Sequence, residues 1–195
     1  RDLHSFPTRR SSDLGLLGSG VASDWLALPL QISGATGRAL RALEKLWEGS
    51  GLIVTAGGGG GRDPNKSGGE LTPGAAVSAA FLTGDITMGG TGTLTWREGD
   101  RILAFGHPMM GLGEVELPMC EAEIITTVPS YQRPFKMANM RRVAGTVLED
   151  RLSAIAGRVG AKPELPPYRV RVDFEGRGPV EYRGNFVAHE ELAPS

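Results

Sequence analysis

The sequence predicts a mainly-β fold, a barrel or sandwich of short strands, with one amphipathic helix. Three observations predict it. Gly makes up 29 of 195 residues, about twice its usual share, and 13 Pro add further punctuation, a composition that favours tight turns over long helices. Between these breakers lie short β-branched or alternating segments. A single stretch, Arg38 to Trp47, carries helical periodicity, with Leu40, Leu43 and Trp47 on one face and Leu46 beside them.

Composition also excludes some classes of function. With 21 Lys plus Arg against 22 Asp plus Glu and a net charge of −1, the chain offers no field for a nucleic-acid backbone. One Cys cannot build an internal disulfide framework. The longest apolar runs fall far short of the ~20 residues that a membrane-spanning helix needs, so no membrane-spanning segment is expected.

Residues 1–14, RDLHSFPTRRSSDL, match residue for residue the translation of a common sequencing adapter in one frame. They are read as a non-native leader and set aside from fold reasoning. Without Arg1, Arg9, Arg10, Asp2 and Asp13 the net charge moves from −1 to −2, and His107 and His189 remain as the histidines. The native start is expected upstream, which makes 15–195 a fragment; no internal repeat or clear linker divides it.

The elements follow in order. Trp25 to Ile32 reads as an extended stretch broken by Pro29. Ser33 looks like a helix start, and Gly49 and Gly51 like its stop. Leu52 to Thr55 is a short strand. Residues 57–69 are a flexible loop by composition. Gly60, Lys66 and Ser67 fall at phosphate-loop offsets, but Asn65 replaces the second required Gly, Pro64 removes an amide donor, and no helix pattern follows, so no nucleotide cofactor is expected. Ala75 to Thr83 is a strand. Gly92 to Trp96 and Arg101 to Phe105 flank a turn and read as a hairpin. Ala122 to Val128 is β-branched and ends at Pro129. Tyr168, Val170, Val172 and Phe174 alternate with charged residues, as in a half-buried antiparallel strand, and Asn185 to Ala188 is its expected partner.

The hairpin leads directly into Phe105-Gly106-His107-Pro108. A histidine between Gly and Pro at the mouth of a strand has a constrained backbone and an open ring face. Gly106 would let another segment approach closely, and Pro108 biases His107 toward an extended conformation. Imidazole is the side chain suited to take and return a proton near neutral pH, so His107 reads either as a general base or as a histidine bonded to a backbone carbonyl. Cys120 is flanked by Met119, Glu121 and Glu123, a setting that raises a thiol pKa, so it reads as a small core residue rather than a nucleophile. His107, His189, Cys120 and the glutamates show no zinc-ligand spacing, and no metal is expected. Lys136, Arg141 and Arg142 form a basic cluster, either a solvated face or a contact for a substrate carboxylate.

The run Thr91-Gly92-Thr93-Leu94-Thr95, a turn, then Leu103-Ala104-Phe105-Gly106-His107 resembles the signature of the SpoIVB-type serine peptidases, in which a GTLT strand leads to an LGH or FGH histidine. Further blocks follow in order: Leu117-Pro118-Met119, Pro134 to Asn139, Gly145 to Arg151, and Ile155-Ala156-Gly157, so that the resemblance is strongest over 71–160. It implies a trypsin-like double β-barrel, a protein or peptide substrate, an extracytoplasmic location and a catalytic role for His107. The family's nucleophile lies in a Gly-Met-Ser-Gly-Ser-Pro-like block that this sequence does not contain. Ser19 and Ser50 lie between glycines but lack the following Ser-Pro. The serine is therefore expected outside this chain, which alone should be inactive; the alternative is a non-catalytic β-barrel binding module that has lost it. Asp85, Asp100 and Asp150 are candidates for the acid that orients the histidine, and none matches a triad position.

Overall fold

The computed structural model describes residues 28–35, 37–48, 52–58, 67–128 and 135–189. The expected leader, Trp25, Ser19, Ser50 and most of the glycine loop lie outside the described residues. The fold is mainly β: β1 (Leu28–Ser33), α1 (Gly37–Leu46), β2 (Leu52–Ala56), β3 (Ala76–Gly84), β4 (Thr87–Glu98), β5 (Arg101–Ala104), β6 (Gly113–Val128), β7 (Phe135–Arg151), β8 (Ala154–Val159), β9 (Pro167–Phe174) and β10 (Arg177–Phe186). All ten strands belong to one sheet, ordered β2-β1-β4-β5-β8-β7-β6-β3-β10-β9, and an additional β3–β4 pairing joins six of them, β3 to β8, into a ring.

Alternation explains what fills the ring. Val77 and Ala79 of β3, Leu94 of β4, Ile102 and Ala104 of β5, Leu117 and Met119 of β6, Val147 of β7 and Ile155 of β8 form one buried cluster. Each ring strand thus turns alternate side chains inward. Burying a leucine such as Leu94 or Leu117, both fully inaccessible, is worth about 1.5–3 kcal/mol. Several ring strands are longer than the short ones expected, β6 with 16 residues and β7 with 17, and strands of that length curve into a ring only if they bend. Register shifts provide the bends, between Ala80 and Leu82, between Leu94 and Trp96, and at several points along the long β6–β7 hairpin.

β1 and β2 pair in parallel, from Leu28↔Leu52 to Ile32↔Ala56. Parallel neighbours need a crossover, and α1 supplies it. Leu40, Leu43 and Trp47 pack against the core as their spacing predicts. Leu46 does not: it is 75% exposed. Ser33 is not the helix start either. It ends β1, its hydroxyl donates to the Gly58 carbonyl at 2.7 Å, and α1 begins at Gly37. Pro29 does not break β1, because β4 pairs only with Gln31 to Ser33 and leaves Pro29 with a single strand neighbour.

The β4–β5 hairpin forms as the sequence predicts, with Glu98↔Arg101 closing a two-residue turn. β7 and β8 are additions to the sequence reading, and β4 and β6 extend further than expected. β9 matches its alternating pattern, but Val170 and Phe174 are 46% and 42% exposed, so that strand is not half-buried. Its partner is β10, which ends at Phe186 and starts ahead of the expected segment. Among the described residues no helix is long and apolar enough to cross a membrane.

Candidate functional site

The chain leaves β5 by an abrupt turn. Phe105 has φ +75° and Gly106 also has φ +75°. For a bulky side chain such a left-handed conformation is strained and persists only where packing compensates. Here the compensation comes from β4. A Cβ built on Gly92 would lie 2.3 Å from Phe105 Cδ1, and one on Gly90 would lie 3.8 Å from Phe105 Cε2. The phenyl ring therefore rests on bare backbone, while its own N–H donates to the Thr93 carbonyl at 2.9 Å. Gly106 serves a different purpose from the one expected. A Cβ there would meet nothing within 4 Å, so glycine is required for its φ and not for a close approach.

His107 lies three residues beyond the end of β5 and is partly buried. Its ring centroid is 5.8 Å from that of Phe105, with the planes tilted by 49°. Its Nδ1 lies 2.8 Å from the Pro108 carbonyl oxygen. A carbonyl can only accept, so Nδ1 carries the proton and donates. Among the described residues no serine hydroxyl bonds to the ring.

None of the three candidate aspartates touches the imidazole. Asp85 accepts the Arg183 N–H at 2.7 Å. Asp100 pairs with Arg158 at 3.6 Å in an exposed turn. Asp150, on β7, is 1% exposed and faces the segment that follows His107. Its Oδ1 accepts the Met109 N–H at 2.7 Å, and its Oδ2 accepts those of Met110 and Gly111 at 2.8 Å and of Leu112 at 3.3 Å. A buried carboxyl group without such donors would be costly, and four convergent amides satisfy it. In the sequence, Asp150 sits in the polar run Glu149-Asp150-Arg151, where nothing local marks it as buried. The Gly90-x-Gly92 spacing inside a strand is the signal that was available for the Phe105 seat.

Cys120 is the core residue its neighbours predict. It is buried, and burial followed by the nearby Glu121 charge pushes its thiol up to about 12, far from the range of a reactive thiolate. The basic cluster disperses. The Lys136 ammonium donates to Thr93 Oγ1 at 2.8 Å. Arg141 pairs with Glu123, and Arg142 with Glu121. Glu121 is nearly inaccessible and also accepts the Ser67 hydroxyl at 2.9 Å and the Gly68 N–H at 2.8 Å. Burial alone would raise its pKa, but the Arg142, Gly68 and Ser67 hydrogen bonds outweigh it and hold the carboxyl below the ordinary glutamate value.

An open groove of about 530 Å³ runs beside this ion pair, with Arg97, Glu121, Arg142 and Val159 among its walls; no residue of the 105–112 loop lines it. Among the described residues no group of three or more His, Cys, Asp or Glu side chains is placed to hold a metal. Comparison with known proteins gives no matching family model, no similar curated protein and no similar solved structure.

Proposed function

We propose that the chain is the histidine-bearing part of a SpoIVB-like serine endopeptidase built on a trypsin-like β-barrel, acting on protein or peptide substrates outside the cytoplasm. His107 is the general base. Its Nε2 takes the proton of a serine hydroxyl supplied from outside this chain, the serine oxygen attacks the scissile carbonyl, and the protonated imidazole returns the proton to the leaving amine. The observation that carries this reading is the ordered run of sequence blocks in which the β4–β5 hairpin leads to His107. The Nδ1 bond to the Pro108 carbonyl, although it is also the bond of a structural histidine, is compatible with it. That bond leaves Nε2 as the basic nitrogen, on a ring placed just past the end of a strand. The ordered sequence blocks supply the family, and the six-strand ring is compatible with one barrel of the proposed fold.

A second reading is a non-catalytic binding module on the same scaffold. One observation favours it: the acceptor at Nδ1 is a backbone carbonyl, as in a structural histidine, and not a carboxylate. The test is to extend the coding sequence in both directions, express the full-length protein and compare it with His107→Ala on a fluorogenic peptide or an unfolded protein substrate. The expected loss is about a thousand-fold or more in kcat/KM. No turnover by either protein, or no serine block in the full-length sequence, would leave the binding module as the reading, and equal turnover by both would remove His107 from the mechanism.

A further inference from the structure

We propose that Asp150 is a positioning residue for His107, acting through one peptide group. The Pro108–Met109 peptide is bonded at both ends: its N–H donates to Asp150 Oδ1 at 2.7 Å, and its carbonyl oxygen accepts from His107 Nδ1 at 2.8 Å. The chain has no cis peptide bond among its described residues, so these two groups point in opposite directions across the peptide plane. The order is carboxyl, peptide, imidazole. In a serine-peptidase triad the acid bonds Nδ1–H directly; here a peptide unit is inserted between them.

The physical consequence is specific. A peptide whose N–H is held by a carboxyl oxygen is polarised, and its carbonyl becomes a stronger acceptor. That favours the proton on Nδ1 over Nε2 and fixes the ring plane. The other three amides, from Met110, Gly111 and Leu112, hold Asp150 Oδ2 and keep the carboxyl group from rotating away. Asp85 and Asp100 are engaged elsewhere, which leaves Asp150 as the acid coupled to the ring. The catalytic meaning of this relay rests on the peptidase reading above. The relay itself does not.

The test is therefore made on the ring and needs no turnover. In this chain labelled with nitrogen-15 histidine, long-range proton–nitrogen spectra report which ring nitrogen of His107 is protonated. The wild type should be protonated mainly on Nδ1, and Asp150→Asn should shift the ring measurably toward Nε2–H. Because Asp150→Asn can fail to fold, two backbone esters accompany it. An ester in place of the Met109 amide removes the relay N–H and leaves Asp150 three donors. It also weakens the Pro108 carbonyl as an acceptor, so the same ester is made in an Asp150→Glu background, where a relay through the aspartate predicts a smaller change at the ring. An ester in place of the Met110 amide removes a donor outside the relay. The Met109 ester should lose the tautomer preference and the Met110 ester should keep it. A wild-type ring protonated on Nε2, esters that both leave the ring unchanged, or esters that disturb it equally would overturn the proposal. A full-length His107→Ala protein with undiminished turnover would instead sink the peptidase reading and leave the relay standing.

Discussion

The ring and the β9–β10 hairpin are built from the same kind of sequence and end up in opposite environments. In the ring, alternate residues such as Leu94, Leu117 and Ile155 are fully buried. In the hairpin the alternation is as regular, with Val172 opposite Val180 and Val170 opposite Tyr182, yet β9 has no buried residue. Its other face is laced by Arg169–Glu181, Arg171–Asp173 and Arg183–Glu181 pairs, all largely exposed. Pairs of this kind add little to stability. The difference teaches that period-two alternation specifies a strand, whereas burial requires a second surface facing it. The ring supplies that surface from its own opposite wall. The hairpin pairs with β3 through Gly184 to Phe186, and β9 finds no such wall among the described residues.

The sharpest way to break this comparison is to make similar truncations in both regions. Leu117→Ala should cost about 3 kcal/mol by urea denaturation, as core leucine truncations do. Val170→Ala should stay within about 0.5 kcal/mol. Similar losses would mean that the hairpin face is covered. A smaller effect probes the join between ring and site. Gly92→Ala places a methyl group against the Phe105 ring, and the displacement should cost about 2 kcal/mol. Its amide shifts should concentrate in residues 105–112 and include His107. Shifts confined to β3 and β4 would show that Phe105 does not carry the histidine.

The smallest effect separates two carboxyl groups. Hydrogen bonds and the charge of Arg142 offset burial and hold Glu121 low. A hydrogen bond from Arg183 comes first at the exposed Glu181, also held low. A depressed folded-state pKa contributes stability that is present above the ordinary value of 4.5 and is lost as pH falls through the folded value. Stability should therefore decline as the solution is acidified below about pH 4.5. Glu121→Gln should flatten that decline, whereas Glu181→Gln should leave it in place because solvent screens its pairs. A decline carried equally by both residues would erase the contrast between buried and solvated charge.

The sequence made the β4–β5 hairpin legible because a polar turn stood between two alternating runs. It made the inward face of α1 legible through Leu40, Leu43 and Trp47. It could not show β7, whose Arg141-Arg142 and Glu149-Asp150-Arg151 runs look like solvated loops. Their partners, Glu123, Glu121 and the 109–112 amides, lie 18 to 41 residues away. The same limit applies to the site. His107 was visible as a residue type in a motif. Asp150 gains its amide partners only when β7 passes behind the loop, and a single sequence does not encode that adjacency locally. Leu46, read as lying beside that face, sits outside the arc that meets the core and is exposed.

Ring closure also sets a timetable for synthesis. The β3–β4 and β4–β5 pairings are local and can form as soon as their residues leave the ribosome. β5 then waits for β8, its other neighbour, which begins about 50 residues later. At about 5–20 residues per second that is a delay of roughly 3–10 s. During that interval Leu94 and Ile102 lack an opposite wall, and the free edge of β5 can recruit a strand from another chain. The nascent protein is thus most prone to aggregate after its hairpin has formed and before Ile155 arrives, so slow translation through 105–154 would lower yield without changing a residue.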